Sequence, residues 1–237
     1  MSALYLYALL PADAPPPPAT LRGIDDASVE AWDPHEVVGY GMQGWVSRFP
    51  AFMPIEATLA RVRAHDGVMT AALSLGATPL PFRFGHLFES DDAALATLAP
   101  RLGSLAEQVA SVRDAFEFRL LVEAPADPPQ SAAPPPDLPP GRQRIEAARR
   151  RQAAADHDAR WAARLTDRVG SVLASFVLAE VHRTEVTQGR RRLTISHLVA
   201  RSRVDAYLEC LASLSHIAGA SPPTVIGPSA PYSFAVA

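Results

Sequence analysis

The sequence predicts an α+β protein of two domains, each an open, mostly antiparallel sheet with helices on one face, a ferredoxin-like variant in general plan. Two observations predict it. Apolar periodicity gives the order strand, strand, helix, strand, helix, strand and, after a break, helix, strand, strand, helix, strand. The break runs from Ala124 to Pro140, where eight of 17 residues are proline. Such a stretch has little to bury and favours an extended, semi-rigid polyproline form. The expected boundaries are residues 1–124 for an N-terminal domain, 125–140 for a Pro-rich linker and 141–237 for a C-terminal domain with a long leading helix and an aromatic tail.

Each element has a local reason. Ala3 to Leu10 is continuously apolar, rich in aromatic residues and stopped by Pro11, which suits a central strand buried on both faces. The four prolines Pro15 to Pro18 cannot join a ladder and read as a surface loop. Val29 to Trp32 and Val37 to Ser47 read as strands, the second interrupted by Gly39, Gly41 and Gly44. From Pro54 the period becomes helical, with Ile55, Leu59, Val62, Met69 and Leu73 on one stripe and Gly76 as the stop. His65 falls at the buried edge of that stripe and reads as a hydrogen-bonded core histidine, since no second ligand stands beside it at metal spacing.

Thr78 to Phe88 follows as a buried strand carrying a single arginine, Arg83, and a turning glycine, Gly85. Ser90 suits an N-cap, with Asp91 and Asp92 where the helix dipole favours negative charge. Leu95, Leu98, Leu102, Leu105, Val109 and Val112 keep one phase through Pro100, so a kinked helix is expected. Ala115 to Val122 closes this half as a strand. Beyond the proline run, a helix from Arg142 to Phe176 carries Trp161, Leu165, Val169, Val172 and Phe176 on one side. Ala179–Val186 and Arg192–Ala200 suggest a hairpin around Gln188-Gly189. Ser202 and Asp205 suggest a capping box for a helix with Val204, Tyr207, Leu211, Leu214 and Ala218 inward, ended by Gly219. Thr224 to Ile226 makes a last strand.

Composition narrows the chemistry. At 237 residues and 48% hydrophobic content the chain can bury a substantial core. No apolar run reaches the roughly 20 residues of a membrane span, and the N-terminus lacks the basic start of a secretory signal, so a cytoplasmic location is expected. One cysteine, Cys210, excludes an internal disulfide framework and reads as a small buried hydrophobe. The net charge of −3 conceals an asymmetry: residues 1–140 carry 8 Arg against 17 acidic residues, and residues 141–237 carry 14 Arg against 8. Every basic residue is arginine.

Four segments then carry a family likeness: Tyr5-Leu6-Tyr7, His65-Asp66-Gly67-Val68, Pro79-Leu80-Pro81-Phe82-Arg83-Phe84-Gly85, and the terminal Gly227-Pro228-Ser229-Ala230-Pro231-Tyr232-Ser233-Phe234. In this order, over nearly the whole chain, they resemble the gas vesicle protein L/F family (GvpL/GvpF). His86 stands where that family usually has threonine, and Ser229-Ala230 replaces Trp-Pro. The resemblance implies a two-domain α+β protein with no catalysis and no cofactor. It also implies an accessory or minor structural part in the gas vesicle, binding the small hydrophobic shell subunit and other accessory proteins, with self-association open to it.

The candidate interaction residues are Arg83, Phe84, Gly85, Pro231, Tyr232 and Phe234. Arg83 is expected to be buried and tied to carboxylates. The aromatic tail is expected to fold back beside the Thr78 to Phe88 strand or to serve as a docking surface. No catalytic or metal-binding residue emerges, because the seven histidines are scattered. The rival reading is an anion-binding or nucleic-acid-binding protein that uses a basic face of Arg142, Arg149, Arg150, Arg190, Arg191 and Arg192. An acidic pI near 6.2 and the lack of interleaved aromatics weigh against it.

Overall fold

The structure, a computed structural model, describes residues 2–124, 139–187, 190–214 and 223–235, with the backbone alone for Pro140, Ala154, Val186, Thr187, Arg190 and Arg191. The strands are β1 (Ala3–Pro11), β2 (Glu30–Trp32), β3 (Met42–Phe49), β4 (Leu80–Pro81), β5 (Leu87–Phe88), β6 (Ala115–Glu123), β7 (Val177–Thr187), β8 (Arg190–Ala200) and β9 (Thr224–Ser229). The helices are α1 (His35–Val38), α2 (Leu59–Ser74), α3 (Asp91–Leu98), α4 (Leu102–Val112), α5 (Pro140–Leu173) and α6 (Val204–Ser213). One antiparallel sheet has the order β2-β3-β1-β4, with β5 also on β1; the second has the order β7-β8-β6-β9. Contacts divide the chain into a first unit of Met1–Phe118, Leu198–Arg201 and Gly227–Ala237 and a second of Arg119–His197 and Ser202–Ile226. The Pro-rich linker expected at 125–140 lies outside the described residues except at its last two positions.

In the first unit all nine residues of β1 are buried, as its unbroken apolar run requires. A register shift against β3 between Leu6 and Ala8 leaves Tyr7 as the extra residue of a bulge. A bulge resets the two-residue alternation. Tyr5 before it, Tyr7 in it, and Ala8 and Leu10 after it therefore share one core cluster with Val68, Met69 and Ala72 of α2. Leu4, Leu6 and Leu9 lie outside that cluster and are also fully buried, and α3 and α4 too pack on β1. This sheet is thus covered on both faces, which corrects the expectation of helices on one face.

Several local expectations are also corrected. Val37 does not start a strand: Pro34 sets an extended N-cap, its carbonyl accepts from Val37 and Val38, and α1 forms before β3 begins. Helix α2 starts at Leu59, not Pro54, because the Thr58 hydroxyl caps the Arg61 N–H. The buried line of α2 is His65, Val68, Met69 and Ala72, whereas Leu59 and Val62 are exposed. Its end is as expected: Gly76 and Ala77 donate back to Leu73 and Ala72, the hydrogen-bond pair of a Schellman stop. The Thr78 to Phe88 segment gives two short bridges to β1 around a turn.

Ser90 caps α3 by accepting from Ala93 N, and a 3₁₀ turn at Ala99–Arg101 carries the chain past Pro100 into α4 with Leu98, Leu102, Leu105, Val109 and Val112 buried. In the second unit α5 buries Ala162, Leu165, Val169 and Leu173, and its first four turns are largely exposed. Leu165 and Val169 are inward as expected, but Trp161 is only half-buried and Val172 is exposed, and Ala162 and Leu173, each one residue further on, take their places. Helix α6 follows a 3₁₀ turn at Arg201–Arg203 and has no side-chain cap, so Ser202 makes no capping box. Ala218, Gly219 and the Gln188-Gly189 turn lie outside the described residues. Cys210 is a free, half-buried thiol rather than a buried one.

Candidate interaction site

The motif residues of the first unit meet around one histidine. Tyr5, on the bulged strand, places its hydroxyl 2.9 Å from His65 Nδ1, and the Gly85 N–H donates to the same hydroxyl over 3.0 Å. The phenol oxygen thus bridges the Gly85 N–H and His65 Nδ1, while His65 Nε2 is buried without a hydrogen-bond partner. Burial depresses the His65 pKa to about 4, an effect the Asp66 charge and the Phe82 carbonyl only partly offset. Burial likewise raises the Tyr5 phenol well above its ordinary value. Phe84 stands edge-on to both rings, with centroids 6.2 Å from Tyr5 and 6.0 Å from His65, and Tyr232 stacks tilted over His65 at 6.4 Å.

Gly85 is glycine because its φ is +97°, a conformation that side chains resist, and this conformation aims its N–H at Tyr5. Gly85→Ala is expected to cost about 1–2 kcal/mol, the strain of one residue held there. A chemical melt that leaves stability unchanged would contradict this reading of the turn.

The tail is seated by a second polar device. The Glu117 carboxylate on β6, 1% exposed, accepts from Ser233 N at 2.8 Å and from Ser233 Oγ at 2.7 Å. Upstream, Ser229 Oγ donates to the Glu117 carbonyl. Gly227 passes so close that a Cβ there would lie 2.7 Å from that carbonyl. Ala230 and Pro231 are buried, and Tyr232 and Phe234 are half-buried in a 3₁₀ turn.

Of the residues singled out from sequence, the structure brings Phe84, Gly85 and Tyr232 together at His65. Arg83 is exposed on the outside of the same turn, contrary to expectation, because the two bridges to β1 direct Phe82 inward and leave position 83 facing solvent. Along α5, Arg142 and Arg149 are exposed, and Arg150 lies 3.6 Å from Glu146. Arg192 reaches Glu123 at 3.4 Å. The side chains of Arg190 and Arg191 lie outside the described residues.

Sequence reasoning missed Glu117 and a second histidine. In the second unit, fully buried His197 has Nδ1 3.0 Å from the Tyr207 hydroxyl and Nε2 3.0 Å from Glu180 Oε2. A carboxylate only accepts, so Nε2 carries the proton and Nδ1 accepts from Tyr207. Burial lowers the His197 pKa and the Glu180 carboxylate opposes this. Both ring nitrogens are spent on protein partners, so the group orients β7, β8 and α6 and presents no free atom to a substrate. Among the described residues no cluster of three or more metal-ligating side chains occurs, and no helix is long and apolar enough to cross a membrane.

Comparison with known proteins adds to this geometry. The family model described as "Gas vesicle synthesis protein GvpL/GvpF" matches residues 3–236. The chain belongs to the GvpL/GvpF family. Two solved GvpL/GvpF structures share the fold. The gas vesicle protein GvpF from Anabaena sp. PCC7120 is 18% identical, with a TM-score of 0.74 covering 99% of this chain and 96% of that one. GvpF from Microcystis aeruginosa is 17% identical, with a TM-score of 0.74 covering 98% of each chain. No curated protein matches the GvpL/GvpF chain described here. Family membership ties it to gas vesicles and makes a structural or accessory role the family-level reading.

Proposed function

We propose that this chain is a non-catalytic accessory protein of gas vesicle assembly that binds the small hydrophobic shell subunit, and through other surfaces further accessory proteins, at the vesicle in the cytoplasm. The family match over residues 3–236 carries the reading. The first unit offers a surface suited to it. Phe52, Met53, Leu59 and Val62 stand exposed within eleven residues on the β3–α2 loop and the first turn of α2, with Met53 and Leu59 each 66% exposed. Large exposed apolar side chains grouped this closely along the chain suit an interaction surface. Two arginines in the flanking elements are already neutralised within the chain: Arg61 pairs with Asp25, and Arg48 pairs with Glu30 and Asp91. Glu56 and Arg63, both exposed, also border the patch, so an apolar partner meets a charged rim around it. The His65 cluster and the tail hold this unit in shape; the tail rings are anchors in this reading and the loop is the contact.

The test is co-purification of the full chain with the shell subunit. The wild-type chain should retain it, and the double variant Met53→Glu, Leu59→Glu should bind at least about tenfold more weakly while melting as the wild type does. A wild-type chain that fails to retain the shell subunit would overturn the proposal; retention by the double variant would move the contact elsewhere.

A further inference from the structure

Among the described residues each sheet has two outer edges, and three of the four are blunted. Strand β2 has three residues, β4 has two and ends in Pro81, and β9 has six and carries Pro228. Short strands and prolines are the usual means of keeping an edge from pairing with another chain. The fourth edge is different. Strand β7 lies at the end of the order β7-β8-β6-β9, runs for eleven residues without proline or glycine, and exposes Leu178 and Val181.

Strand β7 also carries a self-complementary charge pattern. Arg183 and Glu185 are both exposed, project from the same face of the strand, and lie 3.7 Å apart. A two-fold axis normal to the sheet preserves the face on which a residue lies, so two copies of β7 can pair antiparallel only about a residue, not between residues. Centring the pair on His182 gives the longest overlap but sets Arg183 against Val181. Centring it on Thr184 sets each Arg183 opposite the Glu185 of the other copy, twice. Opposite charges directly across a ladder stabilise it and like charges oppose it.

We propose that β7 is a self-association edge, pairing antiparallel with β7 of a second copy of this chain about Thr184 through the ladder 181–187. Two four-stranded sheets then become one of eight strands. The contact is small, so the dimer is micromolar and concentration-dependent rather than obligate.

Sedimentation velocity of the full chain between about 5 and about 200 µM tests it, since a small interface dissociates in this range. The expected result is a monomer–dimer equilibrium. Arg183→Glu places two like-charge pairs across the ladder and should weaken the dimer at least about tenfold. The swap Arg183→Glu, Glu185→Arg restores opposite pairs and should restore the dimer. Both residues are exposed, so unchanged circular dichroism is expected for each variant. A monomer over the whole range, a dimer indifferent to Arg183→Glu, or a swap that fails to restore pairing would each overturn the proposal. The first outcome would leave the edge to a strand of a different protein.

Discussion

Deletion of residues 231–237 is expected to remove about 4–8 kcal/mol of stability, an amount on the order of an ordinary domain's whole margin. Two contributions add. The deletion strips the Ser233 N–H and hydroxyl from the Glu117 carboxylate, which stays almost wholly inside the protein. Hydrogen bonds to a charged group are worth about 1.5–3 kcal/mol each, and a buried carboxylate deprived of donors keeps its desolvation cost. The deletion also uncovers the place where Pro231 is buried and Tyr232 rests on the His65 cluster, at about 1–2 kcal/mol for partial burial. Urea denaturation of the full and shortened chains measures the sum, and Tyr232→Ala alone should show only the smaller part. A midpoint unchanged by the deletion would mean that the tail is an ornament on a finished core.

Acid should destabilise the protein through His65 in a defined window. The folded pKa is about 4 against an ordinary 6.5, so the native state favours the neutral ring and the unfolded chain takes up a proton first. Stability from this residue is fully present above pH 6.5 and falls as the pH is lowered, by about 3 kcal/mol at pH 4. His65→Gln keeps a hydrogen-bond partner for Tyr5 but has no proton to gain, and its stability should be correspondingly flatter over that range. His197, also depressed by burial, contributes to both proteins alike, so the difference between them isolates His65. The carboxyls of Asp25 and Asp91, held below the usual range by Arg61 and Arg48, lose their contribution only at lower pH. Parallel curves for wild type and variant would refute the assignment.

Much of the fold was legible where local chemistry and tertiary packing agree. The unbroken apolar run of β1, the Ser90 cap and the leucine phase carried through Pro100 all survive folding, because each is decided within a few residues. The errors fall where a distant partner decides. The apolar stripe of α2 held at Met69 and Leu73 and His65 is the hydrogen-bonded core histidine expected, but Leu59 and Val62 face out, because the contact with Tyr5 turns the His65 side of the helix inward. Thr78 to Phe88 counted as one strand, although Gly85 folds it into a turn between two short bridges.

Of the candidate site, the aromatic residues and the hydrogen-bonded core histidine His65 were visible, and the Glu117–Ser233 pair was not. Glu117 offered a signal that went unread: it stands two residues from buried Ala115 in an alternating strand and so shares its inward phase. A carboxylate in that phase calls for donors. Ser233 supplies them from 116 residues away, and no sequence period reaches that far.

That separation has a consequence for how the protein is made. Early segments of a nascent chain ordinarily fold as units while the rest is still being translated. Here β1 and α2 emerge early, yet the clamp on Glu117 and the ring over His65 come from residues 232 and 233. At ordinary elongation rates the unit waits roughly 6–25 s between the appearance of Glu117 and that of Ser233. During that interval a carboxylate and an aromatic-lined surface destined for burial are open to whatever else is nearby. The first unit is begun first and closed last, so a ribosome stalled in the second half of the message releases a chain whose front half is also unfinished.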